Sequence, residues 1–163
     1  MWPFGGNRGE QARLLRRAQA FMRRKQWDQA RLALEALLER FPDAVQARAD
    51  YGAVLYHLER YGEALEELER VVREDETIGE AWLNLAACAN QLGLMNRARE
   101  ALDKAAERVP RARNLHYNLA ILRLKEGRTM EAMAELETEL SLYPDNLPAR
   151  ALTAALEERI FRN

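Results

Sequence analysis

Apolar residues return every three to four positions along most of the chain. Ala30, Leu34, Leu37 and Leu38 form one stripe between Trp27 and Phe41, which is the signature of an amphipathic helix. The same spacing recurs at Tyr61, Ala64, Leu68 and Val71, and again at Ala98 and Leu102, at Ala132 and Leu136, and at Leu152, Leu156 and Ile160. Gly93 and Gly127 interrupt the stripes as turns, while Pro42, Pro110 and Pro144 end them. The pattern predicts nine helices, as four pairs and a closing helix, with no sheet.

The stripes are in phase with one another. Ala30, Ala64, Ala98 and Ala132 stand 34 residues apart, and Pro42, Pro110 and Pro144 each follow one of them by twelve. A fixed period of this size signals a repeat architecture. At the boundary that lacks a proline, Thr77 and Glu80 are spaced as a capping box, and Asp43 with Gln46 offers a similar start one repeat earlier. The recurrent alanines mark the places where paired helices approach closely, since a larger side chain there would force them apart. A single pair cannot bury its apolar face, so neighbouring pairs must stack into one continuous core.

Trp82, Leu85, Ala86 and Ala89, followed by Gly93, Ala98, Leu102 and Pro110, resemble the tetratricopeptide repeat pattern. Ala86 replaces the usual Gly, and Ala89 the usual Tyr. The resemblance divides residues 9–146 into four repeats, at about 11–44, 45–78, 79–112 and 113–146. Residues 1–8 precede them as an arm, and residues 147–163 follow as a capping helix. It implies an all-α fold, a right-handed α-solenoid of four helix pairs plus the C-terminal cap, whose first helices line a concave groove. It also implies a protein-binding scaffold, either an adaptor or an assembly factor holding a peptide segment of a partner. The length is similar to that of the small repeat chaperones of bacterial secretion systems, which usually have three repeats.

Matching positions in each first helix place Arg16 and Gln19, then Asp50 and His57, then Asn84 and Gln91, then Tyr117, Asn118 and Lys125 along that groove. Asn84 and Asn118 are one period apart. An amide both donates and accepts, so such a pair can bond a peptide backbone without reading its sequence. Tyr117 adds a rigid amphipathic contact of the kind enriched in interfaces. The carboxylate-clamp subclass of the family needs cations at groove positions that here hold Ala12, Gln46, Glu80 and Asn114, so clamp function is not expected.

Charge changes the picture at one end only. The chain carries 31% charged residues and a net charge of −1, which gives no overall attraction to nucleic acid. Residues 1–25 nevertheless hold seven basic groups against one acid, a net +6 that leaves −7 for the remainder. Arg13, Arg16, Arg17, Arg23 and Arg24 belong to this stretch, behind an arm bearing Trp2 and Phe4. Pro3 and the Gly5–Gly6 pair argue against helix in the arm. It could cover the first helix, or anchor the chain to a partner or to an anionic membrane surface, where each basic residue contributes about 1 kcal/mol. The corresponding alternative function is a structural accessory subunit or homo-oligomer held through arm and first helix.

Chemistry beyond binding has little to work with. Ser141 is the only serine, Cys88 the only thiol, and His57 and His116 the only histidines, none at metal-ligand spacing. No phosphate-binding glycine loop is present. No enzyme activity, metal or cofactor is expected. A single cysteine excludes an intramolecular disulfide framework and favours a reducing compartment. No signal-peptide pattern opens the chain and no apolar run suits a membrane span. The expected location is cytoplasmic, or peripheral at a membrane.

Overall fold

The computed structural model describes residues 8–162. Its helices run in order α1 (Arg8–Arg23), α2 (Trp27–Arg40), α3 (Val45–His57), α4 (Tyr61–Glu74), α5 (Gly79–Gln91), α6 (Met95–Arg108), α7 (Leu115–Lys125), α8 (Thr129–Leu142) and α9 (Leu147–Phe161). They form an all-α solenoid of four antiparallel pairs closed by α9, with no strand among the described residues.

Packing explains the period. Ala30, Ala64, Ala98 and Ala132 are fully buried, and so are Leu34, Leu68, Leu102 and Leu136 one turn further on. The first helix of each pair answers with a small residue of its own. These are Ala18, Gly52, Ala86 and Ala120, all buried and again 34 residues apart. The approach is closest at Gly52, where an added Cβ would stand 2.6 Å from Leu68 Cγ. Ala98→Leu should therefore overpack the α5–α6 pair and cost about 1–3 kcal/mol. Glu66→Leu, on an exposed position, should leave the thermal midpoint almost unchanged.

The turn inside each pair also repeats. Lys25, Glu59, Gly93 and Gly127 occupy equivalent positions, with φ of 55°, 60°, 73° and 76°. Glycine holds this left-handed conformation freely in the last two pairs. In the first two, Lys25 and Glu59 hold it against a cost of about 1–2 kcal/mol each. The surrounding helix packing overrides the local preference.

Helix entry differs from the expected capping boxes. The N-caps of α3 and α5 are Ala44 and Ile78, and neither makes a side-chain cap. Thr77 lies one residue too early and turns back instead. Its backbone N and its hydroxyl donate to Asp75 Oδ1 at 2.9 and 2.6 Å. Gln46 likewise reaches along α3 to Asp50 Oδ1 at 3.0 Å. Asn146 does cap α9, accepting from Ala149 N at 3.3 Å.

The core is graded along the stack. Ten residues of α5 are buried, against Ala18 alone in α1. Three apolar clusters result. The largest is centred on α4, α5 and α6, a second joins α1, α2 and α3, and a third joins α7, α8 and α9. α3 and α7 each contribute to two clusters.

Candidate groove on the concave face

The face of α5 that recurs as Glu80, Leu83, Asn84 and Ala87 looks onto α3 and α7, and the three helices enclose a groove of about 460 Å³. Leu83 and Ala87 are buried and form its floor. Tyr56 and His57 of α3 stand on one side, Tyr117 and Asn118 of α7 on the other. Glu80 and Arg113 bring opposite charges to the lining, and Pro148 at the start of α9 closes one end.

The aromatic side chains of the walls are uncharged near neutral pH. Burial raises the pKa of Tyr56 and Tyr117, so both phenols keep their protons. Burial also lowers the pKa of His57, with Lys25 adding to the effect, so its imidazole stays neutral. The His57 ring stacks on Trp27 at 4.0 Å between centroids and 8° between planes, and Tyr56 meets it edge-on at 5.6 Å. These rings fix the α3 wall to the pair before it.

The two asparagines one period apart have different surroundings. Asn84 is half-buried in the groove, and its amide has no hydrogen-bond partner among the described residues. Asn118 is buried, and its Nδ2 donates to Asn114 O at 2.9 Å. Its backbone carbonyl accepts from Asn90 Nδ2 at 3.0 Å, with its Oδ1 a further 3.5 Å contact of the same nitrogen. Asn118 thus helps build the α5–α7 junction, while Asn84 keeps both its donors and its acceptor for the groove.

The remaining expected groove residues lie apart from this cavity. Asp50 accepts from Gln19 Nε2 at 2.9 Å, which ties α1 to α3, and from Gln46 Nε2 of its own helix at 3.0 Å, so both its oxygens are engaged. Lys125 Nζ donates to Asn90 O. Gln91 is exposed at the end of α5, where its side chain bonds Tyr56. Tyr56, Leu83, Arg113 and Pro148 also line the groove, and the register of the first helices does not pick them out. Arg113 and Pro148 lie at the starts of helices, outside any helical period, and only their neighbourhood to Asn114 and Asn146 could have marked them.

One end of the groove rests on a buried carboxylate. Glu139 of α8 is fully buried, and its Oε1 accepts from Asn114 N at 2.8 Å and from Asn146 Nδ2 at 2.7 Å. Asn146 Nδ2 also donates to Asn114 Oδ1 at 2.9 Å. The network holds Asn114 in its left-handed conformation, with φ of 71°, at the entry to α7. Glu139 Oε2 has no hydrogen-bond partner among the described residues.

Trp2 and Phe4 lie outside the described residues. Arg13, Arg16, Arg17 and Arg23 of α1 and Arg24 in the turn after it are exposed, and none pairs with a carboxylate among the described residues. Arg17 stands 5.9 Å from the centre of the Phe21 ring. Cys88 is buried in α5, and burial pushes its thiol up to about 12, far from a thiolate nucleophile. His116 Nδ1 lies 2.7 Å from Glu135 Oε2, a polar contact where Trp82 stands one repeat earlier. No helix among the described residues is long and apolar enough to cross a membrane, and no three of their His, Cys, Asp or Glu side chains gather as a metal site.

A family model described as tetratricopeptide repeat matches residues 15–77 and 95–146, and a second of the same description matches residues 55–116. No curated protein matches the chain. Among solved structures, YrrB, described as a TPR protein with an unusual peptide-binding site, superposes with a TM-score of 0.68 at 20% identity, over 84% of this chain and 71% of that one. MamA from Desulfovibrio magneticus RS-1 gives 0.70 at 20% identity, over 84% and 77%. The MSR-1 form of MamA gives 0.70 at 19% identity, over 93% and 87%.

Proposed function

The chain belongs to the tetratricopeptide repeat family, and on that premise we propose that it is a protein-interaction scaffold holding an extended peptide segment in the groove of α3, α5 and α7. One observation above all supports this: the amide of Asn84 stands unpartnered between Tyr56 and Tyr117, over the apolar floor of Leu83 and Ala87. An amide with free donors and acceptor can take both the carbonyl and the N–H of an extended backbone. The flanking rings supply contact area at small entropic cost. Glu80 and Arg113 give the bound segment a direction, since its charges pair with one or the other. YrrB, which shares the fold, has a peptide-binding site of its own.

The test works before any natural partner is identified. A random-peptide display library panned against the folded protein should yield binders whose affinity falls about fivefold in Asn84→Ala, the ~1 kcal/mol of one neutral hydrogen bond. Tyr117→Ala should weaken them further, with circular dichroism unchanged in both. Asn118→Ala is the wrong probe, because its amide is already committed to the α7 entry and the α5–α7 junction through Asn114 O and Asn90. Recovered peptides that bind both variants as tightly as the parent would remove the groove from the reading.

A further inference from the structure

Among the described residues, each end of the solenoid carries an apolar cleft, and the two clefts carry opposite charge. At the first end, Leu14 and Phe21 of α1 face Leu32 and Ala33 of α2 around a space of about 330 Å³, with Arg17 in its lining. At the last end, Met130, Met133 and Leu140 of α8 face Thr153 of α9 around about 550 Å³, with Glu137 and Glu157 in the lining. Leu32 is 56% exposed and Met130 72%, although terminal repeats ordinarily turn a polar face outward.

The charges at these clefts belong to the groups without an ion pair among the described residues. Inside the stack, ions bridge successive pairs: Arg97 with Glu69 at 3.1 Å and Arg99 with Glu126. Arg17, Glu137 and Glu157 have no ion pair among the described residues. Glu137 is the counterpart, two periods on, of Glu69. Glu69 reaches forward to Arg97 of the next pair, whereas Glu137 has no such partner among the described residues. The wider sequence has the same polarity, a net +6 over residues 1–25 against −4 over residues 129–163.

We propose that the C-terminal cleft of one copy receives the N-terminal end of a second copy, head to tail. The pair α1–α2 of the incoming chain continues the stack where α8 and α9 stop. Leu32 and Phe21 cover the Met130–Met133–Leu140 surface, and Arg17 meets Glu137 and Glu157. Because the two surfaces differ, the contact does not close on itself and each added copy presents a fresh cleft. The groove of α3, α5 and α7 takes no part, so this assembly stands or falls independently of peptide binding.

Sedimentation velocity on the full chain tests it. Mass should rise with protein concentration past the dimer and fall as salt screens the charged pairs. Leu32→Glu and Met130→Glu, both on exposed positions, should each be monomeric. Mixed in equal amounts they should form a one-to-one dimer and nothing larger, since each retains the end the other lacks. If either loses helical signal, Arg17→Glu and Glu157→Arg replace them: each alone should assemble less than the parent, and mixing the two should restore growth past the dimer, since the parental and the charge-swapped contacts can then both form. A monomer at every concentration overturns the proposal. So does a dimer formed by one variant alone, which would mean pairing of like ends. Association that emerges only after deletion of residues 1–7 overturns it as well, by making the arm the occupant of the first cleft.

Discussion

Leu102→Ala should lower the unfolding free energy by about 2–5 kcal/mol, the usual cost of emptying a fully packed leucine site. Leu102 is fully buried in α6 and belongs to the central cluster with Leu68, Leu85 and Ala98. Its equivalents Leu34, Leu68 and Leu136 are buried as completely. The central position makes the difference, because the pair α5–α6 is packed from both sides and has least room to collapse into a cavity. Denaturant unfolding followed by tryptophan fluorescence measures the change, with Trp82 reporting from the same cluster. A loss below about 1 kcal/mol would mean that the stack rearranges freely, contrary to its packing.

Glu139→Leu is the second large effect. It removes the acceptor shared by Asn114 N, in a part-buried bond, and by Asn146 Nδ2, which is buried and keeps its second bond to Asn114 Oδ1. A buried donor hydrogen left without a partner costs about 1–3 kcal/mol. The expected sum is about 2–4 kcal/mol, offset in part by apolar packing of the new side chain. The damage should be local, since Asn146 caps α9 and Asn114 opens α7. Amide chemical shifts should therefore move in α7, α8 and α9 and hardly at all in α1 and α2. Glu139→Gln, which keeps an oxygen for the same two donors, should lose much less. Equal losses for the two variants would show that the volume of the side chain matters here and not its acceptor.

How much of this was legible in the sequence divides along one physical line. The period-34 alanines and the apolar stripes give the helices and their pairing, because burial of a repeated face leaves a repeated residue pattern. Gly93 and Gly127 advertise their turns by residue type. Lys25 and Glu59 make the same turn with no such sign, visible only through their register with the two glycines. The capping boxes misled because a local hydrogen bond, Thr77 to Asp75, is available at no distance and wins over the helix terminus. At the groove, spacing puts Asn84 and Asn118 at equivalent positions, yet spacing cannot say which amide the neighbouring pair consumes. Asn90, Asn114 and Glu139 decide that, and they come from outside the first-helix register being compared.

The three apolar clusters have a consequence for motion. A stack held together by nearest-neighbour contacts opens in segments rather than all at once. The seams between segments fall on α3 and α7, the two helices shared between clusters, and these also form the opposite walls of the groove. A ligand bridging Tyr56 and Tyr117 would therefore clamp both seams together. Amide exchange would slow in α1–α2 and α8, which contribute nothing to the groove lining, and the outer helices of the solenoid would report on what its middle holds.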